Sequence, residues 1–178
     1  MEDCLDFEAK CASLKLWYGT VPGDWLDYNG HMTEHRYLQV FGESSDALYS
    51  LVGVDFTRAH DGAYFRSETH IRHLAEAKCG TNLHTETEIL GFDAKRLHLY
   101  HRLIAESGEL LATGEHLSVH VRSAAPCDAS PETLAKIAEY FSQKAIERAP
   151  EGSGSVLRKA LATTRINGSP LRSFRSLK

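Results

Sequence analysis

The sequence predicts an α+β domain: one long helix covered by the apolar face of an antiparallel sheet. Three observations predict it. Apolar positions Tyr37, Val40, Phe41, Ala47, Leu48, Leu51 and Val52 recur at helical spacing from about 33 to 52. Downstream, four segments alternate between apolar and polar residues, separated by short turns. A glycine-punctuated loop, Trp25-Leu26-Asp27-Tyr28-Asn29-Gly30-His31-Met32, runs directly into the helix.

The elements follow in order. Residues 1–13 form an acidic N-terminal arm. A strand near Leu14–Val21 alternates Leu16, Tyr18 and Thr20 with Trp17 and Gly19, and Pro22-Gly23 stops it. After the helix, Gly53 and Asp55 end the periodic pattern and Thr57–Gly62 connects to the strands. These are placed near 63–74, 81–91, 96–106 and 109–122 and read as a four-stranded meander. Leu83, Thr85, Thr87 and Ile89 share one face, with His84, Glu86 and Glu88 on the other. Leu97, Leu99 and Leu103 oppose His98, Tyr100 and Arg102 in the same way. Pro126 and Pro131 separate the last strand from a helix near 131–148, with Ser130 and Glu132 suited to its N-terminus. The reading is one domain over 14–122, a helical extension over 123–150 and a flexible tail over 151–178.

Composition narrows the function classes. Hydrophobic residues make up 42% and charged residues 25%, typical of a globular protein, and no apolar run approaches the roughly 20 residues that a membrane helix needs. The N-terminus lacks the basic and apolar regions of a secretory signal, so a cytoplasmic location is expected. Cysteines 4, 11, 79 and 127 form no C-x-x-C pair and read as reduced thiols. Net charge is −4, but residues 151–178 hold six basic side chains against one acidic, leaving the remainder strongly negative. An acidic body argues against nucleic-acid binding. No G-x-S-x-G elbow, P-loop or G-x-G-x-x-G follows a predicted strand.

The loop carries the candidate chemistry. Asp27 and His31 are delivered to a helix N-terminus, where unpaired backbone N–H groups and roughly half a positive charge favour a developing oxyanion. A carboxylate beside such donors suits acyl transfer. The segment His31-Met32-Thr33-Glu34-His35 also matches H-x-x-E-H, a zinc-hydrolase pattern using His31, Glu34 and His35. His98, His101, His116 and His120 suggest a second metal reading, but His98 and His101 fall on opposite faces, and a wet sheet face explains the group better.

The loop, the helical Tyr37 and Phe41, Thr69-His70-Ile71-Arg72-His73-Leu74, Gly80, Gly91, Lys95-Arg96-Leu97-His98-Leu99 and Leu111-Ala112-Thr113-Gly114-Glu115-His116 together resemble a known family. It is the hotdog fold of acyl-CoA thioesterases, in the 4-hydroxybenzoyl-CoA-thioesterase-like branch. That branch includes the betainyl-CoA thioesterases of carnitine metabolism, some of them fused to carnitine dehydrogenase. The resemblance covers about residues 14–122. It implies a long helix wrapped by a five-stranded antiparallel sheet, a homodimer or dimer of dimers with active sites between subunits, acyl-CoA as substrate, and no metal or prosthetic group.

Under that resemblance Asp27 acts as general base or as nucleophile, and amides in Met32–Glu34, including Met32 and Thr33, hold the oxyanion. His31 orients Asp27 or the helix entrance, and Gly30 lets backbone approach the thioester. Arg72, His73, Lys95 and Arg96 are candidates for the coenzyme A phosphates. Trp25, Tyr28, Tyr37, Tyr64 and Phe65, with Glu68, are candidates for holding a quaternary ammonium. A non-catalytic acyl-CoA-binding module on the same fold is the competing reading.

Overall fold

The computed structural model describes residues 13–58 and 61–141. The arm expected over residues 1–13, apart from residue 13, and the tail over 151–178 lie outside them. In chain order the elements are β1 (Leu14–Thr20), a 3-10 turn (Gly23–Trp25), α1 (Glu34–Leu51), β2 (Ala63–His73), β3 (Asn82–Phe92), β4 (Arg96–Ala105), β5 (Leu110–Arg122), β6 (Ala125–Pro126) and α2 (Pro131–Tyr140).

The sheet is antiparallel, in the order β1-β3-β4-β5-β2, with the two-residue β6 added beside β5. It curves around α1, as the α+β reading expects. The expected four-stranded meander is corrected to three strands, β3-β4-β5. β2 crosses to the far edge, where Ala63–His73 runs antiparallel to Ala112–Val121, and β1 takes the place beside β3. Residues 74–81 are long enough to carry the chain past the end of α1, so β2 need not pair with the strand that follows it. The first turns of the β3-β4-β5 hairpins are too short for that freedom.

Alternation holds through β3: Leu83, Thr85, Thr87 and Ile89 are buried toward α1. On α1 the buried stripe is Tyr37, Val40, Phe41, Ser44, Ser45, Leu48 and Tyr49, while Leu51 is exposed and Ala47 only partly covered. Burying two serines is tolerable because each bonds the carbonyl one turn earlier, Ser44 to Val40 at 2.8 Å and Ser45 to Phe41 at 3.0 Å. The core has two ends. Val21, Met32, Tyr37, Val40, Phe41, Ala77, Leu83, Leu103 and Leu111 surround the start of α1. Leu48, Val52, Tyr64, Phe92, Leu97, Ile137 and Phe141 close the other end.

Helix α2 contributes Ile137 to that second end, and Ser130 caps it by accepting from the Thr133 N–H at 3.0 Å. It stops at Tyr140, shorter than the expected 131–148, because Phe141 leaves helical geometry to pack against Phe92; residues 142–148 lie outside the described set.

The wet-face explanation of the histidines is corrected. His101, His116 and His120 are buried, facing α1 or the sheet's end. Their polarity is matched within the core: His101 lies 3.0 Å from Ser45 Oγ and 2.9 Å from Thr87 Oγ1, and His116 lies 3.2 Å from Thr69 Oγ1. His98 alone of the four points to the helix-free face, 2.6 Å from Glu115.

Candidate active site

The loop before α1 is a narrow turn. Leu26 and Met32 bridge its two sides, the Asp27 N–H donates to the His31 carbonyl at 2.8 Å, and the Gly30 N–H donates to the Asp27 carbonyl at 3.1 Å. Gly30 has φ +78°, a left-handed conformation that a side chain resists, so the glycine serves the turn itself. A Cβ there would touch nothing within 4 Å. The space beside Gly30 is thus open on the side where backbone approach to a thioester was expected.

Inside the turn, Asp27 Oδ1 accepts from the N–H groups of Asn29 at 2.8 Å and His31 at 3.2 Å. Both bonds fix one carboxylate oxygen and leave Oδ2 outside the turn's hydrogen bonding. The arrangement follows from sequence, since Asp at the start of a tight turn bonds backbone two residues on.

A segment far along the chain closes the turn from outside. The Met32 N–H donates to the Ala77 carbonyl at 2.8 Å, the Ala77 N–H donates to the Tyr37 hydroxyl at 3.3 Å, and His31 bridges Lys78. The His31 ring meets Glu76, with Nε2 to Oε2 at 3.1 Å. His31 thus touches Asp27 through its backbone N–H, while its ring belongs to Glu76. Burial pushes the Tyr37 hydroxyl up, the Ala77 N–H opposes this, and the negative field of Glu76 adds to it. Glu76 and Ala77 escaped the sequence reading because nothing in their local pattern signals contact with a loop some 45 residues earlier.

The amides expected to hold an oxyanion need correction. Met32 donates to Ala77, and the Thr33 N–H donates to the Trp25 carbonyl at 2.8 Å. Both are committed to shaping the loop. The next two amides, of Glu34 and His35, open α1, where helical geometry supplies no acceptor, and Thr33 places no side-chain cap on them. Of the expected range Met32–Glu34, only the Glu34 amide stays open, joined by that of His35 just beyond it. Trp25 stacks on Trp17 at 6.4 Å and carries the Arg36 guanidinium 5.2 Å above its ring. Tyr28 is 96% exposed at the turn's tip.

The helical zinc pattern is not formed. His31 lies in an extended bridge and α1 begins at Glu34, so His31 and His35 do not share successive turns of one helix. Among the described residues, no group of three or more His, Cys, Asp and Glu has metal-holding geometry.

The remaining candidates scatter. His73, at the end of β2, meets Tyr37 edge-on at 4.8 Å and belongs to the entrance. Strand alternation sets Glu68 and Arg72 on the helix-free face, with Phe65, which is largely exposed. Tyr64 packs on Tyr49 and His120 at the opposite end of the core. Lys95 and Arg96 lie at that end too, 3.6 Å from Asp128 and 2.8 Å from Asp93.

Comparison with known proteins agrees with this architecture. The family model of the thioesterase-like superfamily matches residues 21–137. An Agrobacterium fabrum L-carnitine dehydrogenase/betainyl-CoA thioesterase is 45% identical over 147 residues, which is 82% of this chain and 30% of that protein. The chain thus spans under a third of that two-activity relative. A Pseudomonas aeruginosa betainyl-CoA thioesterase is 36% identical over 139 residues, covering 75% of this chain and 87% of that protein. A solved Pseudomonas putida KT2440 protein superposes with a TM-score of 0.66 at 29% identity, covering 93% of this chain and 98% of the other. With its helix-wrapping sheet and its carboxylate turn at the helix entrance, the chain belongs to the thioesterase-like superfamily.

Proposed function

We propose that this chain hydrolyses a short, polar acyl-CoA, betainyl-CoA or a close analogue, to the free acid and CoA. The observation that carries the reading is the Asp27 carboxylate, fixed through Oδ1 by two turn amides, close in sequence to the open amides of Glu34 and His35. The betainyl group follows from the names of the relatives.

In the proposed reaction a water oxygen attacks the thioester carbonyl carbon, the C–S bond breaks, and the sulfur leaves to become the CoA thiol. Either Asp27 Oδ2 takes the attacking water's proton, which then passes to the departing thiolate, or Oδ2 attacks the carbonyl carbon in place of water, expelling the thiolate and forming a mixed anhydride that water opens, restoring the carboxylate and supplying the thiol proton. The Glu34 and His35 amides and the N-terminal dipole of α1 hold the negative carbonyl oxygen. No metal or prosthetic group takes part.

The reading includes a homodimer in which two β2 edges pair about a twofold axis. β2 is eleven residues long and forms an outer edge of the sheet, which is what pairing requires. Antiparallel pairing runs the Ala63 end of one β2 beside the His73 end of the other. That would bring Tyr64 of the partner subunit toward the Asp27 entrance, and Lys95 and Arg96 with it, where basic groups could meet CoA phosphates. Cys79 and Cys127 are free thiols, in keeping with a cytoplasmic setting. No helix among the described residues is long and apolar enough to cross a membrane.

The test is thiol release from betainyl-, acetyl-, benzoyl- and long-chain acyl-CoA. Wild-type protein should favour betainyl-CoA, and Asp27→Asn should lower turnover by about 10²–10⁴, the usual contribution of a positioned base, with the fold intact. Label on Asp27 after single turnover in ¹⁸O-water would establish the anhydride route, since it arises when water opens the anhydride at the Asp27 carboxyl carbon and never when Asp27 acts as a base. Full activity in Asp27→Asn would defeat the assignment.

A further inference from the structure

Building an oxyanion beside Asp27 is opposed by any second negative charge near it, yet Glu76 stands at the same entrance. Its carboxylate is 69% exposed, and the His31 ring, 3.1 Å from Oε2, orients it toward the loop. The backbone on either side is fixed as well: the Ala75 N–H donates to the Leu111 carbonyl at 3.0 Å, and Ala77 is bonded to Met32 and Tyr37. Glu76 also acts electrostatically on Tyr37, a residue of the same wall.

Among the described residues no lysine or arginine forms an ion pair with Glu76, although Lys78 follows two residues on and its backbone bridges His31. Arg36 is engaged elsewhere, stacked on Trp25 with its Nη1 bonded to Gln39 at 2.7 Å. His31 is charged only when protonated. A neutral acyl group at this entrance therefore meets two carboxylates, Asp27 and Glu76, with nothing of its own to offset them. A permanent cation two bonds from the reacting carbonyl carbon reverses the balance: it is attracted by Glu76 and shields the developing oxyanion from it.

We propose that Glu76 makes this site selective for an acyl group bearing a permanent positive charge near the thioester carbonyl. The inference rests on the thioesterase reading above and adds to it the residue that sets substrate charge.

The test compares betainyl-CoA with 3,3-dimethylbutanoyl-CoA, in which carbon replaces the quaternary nitrogen and the charge is lost at nearly the same shape. Wild-type kcat/KM should favour the charged substrate by roughly tenfold or more, about one charge–charge contact's worth. Glu76→Gln should erase most of that preference by slowing the charged substrate while leaving the neutral one unchanged or faster. Glu76→Asp, which keeps the charge, should retain it. Glu132→Gln, a change on α2 at the far end of the fold, should have no effect and controls for net charge.

An equal fall for both substrates would overturn the proposal, assigning Glu76 only to holding His31, and an unchanged ratio would overturn it as well. In either case the thioesterase reading survives. Failure of wild-type protein to cleave either thioester would overturn that reading and this inference with it.

Discussion

His101 and His116 stand with ring centroids 5.1 Å apart and planes at 75°, both buried between α1 and the sheet. Phe41 lies against both rings. Burial pushes the His116 imidazole down to about 4, and the Arg66 cation adds to the effect against a smaller pull upward from Glu115. Burial, then His116 and Arg66, hold His101 well below the ordinary histidine range. Among the described residues, His116 Nε2 has no hydrogen-bond partner.

This pair predicts acid sensitivity. The unfolded chain takes up a proton near the ordinary histidine value of about 6.5, whereas folded His116 refuses it until about 4. Stability is therefore fully present above 6.5 and is lost as pH falls from 6.5 toward 4, by about 3 kcal/mol from His116 at the lower limit. Urea midpoints from pH 7.5 to 4.5 should drop more steeply for wild type than for His116→Gln. Parallel slopes would show that the buried imidazole does not drive the transition.

Gly114 is predicted to be intolerant of a side chain. A Cβ built there would lie 2.6 Å from Cδ2 and 2.9 Å from Cγ of Phe41, whose ring is already stacked on His101 at 5.7 Å. Gly114→Ala should cost about 1–3 kcal/mol by overpacking. Combining it with Phe41→Ala, which removes both clashing atoms, should cost less than the sum of the two single changes. Additive losses in thermal or chemical denaturation would contradict the contact.

Ser130→Ala should destabilise by about 1 kcal/mol, because the serine hydroxyl supplies the acceptor for the Thr133 N–H at the start of α2. The loss should appear in the global melting transition, since Ile137 and Phe141 join α2 to the core around Leu48 and Leu97. A change confined to helical signal, with the main transition unmoved, would show that α2 folds separately.

Much of the fold was legible because its signals are local. The expected strand limits of 81–91 and 96–106 fall within a residue of β3 and β4, since alternation records which side of each strand is dry. Asp27 could be placed at a helix entrance for a similar reason, because turn chemistry and the start of apolar periodicity are read from adjacent residues. The histidines misled because periodicity assigns a face by polarity. His101 and His116 share the dry face with Leu97, Leu99 and Leu103, made acceptable by hydroxyl partners on α1, β2 and β3.

By itself the sequence determined the elements, the helix with a carboxylate turn at its head, and a motif set that resembles acyl-CoA thioesterases. Only the tertiary structure decided that β2 leaves its neighbour for the far edge, that Met32 and Thr33 spend their amides on the loop, and that Glu76 meets His31. The physical reason is range. Propensity and periodicity act over a few residues, whereas strand order, amide occupancy and the charge around Asp27 are set by contacts between segments distant in the chain, which exist only once the sheet has closed on the helix.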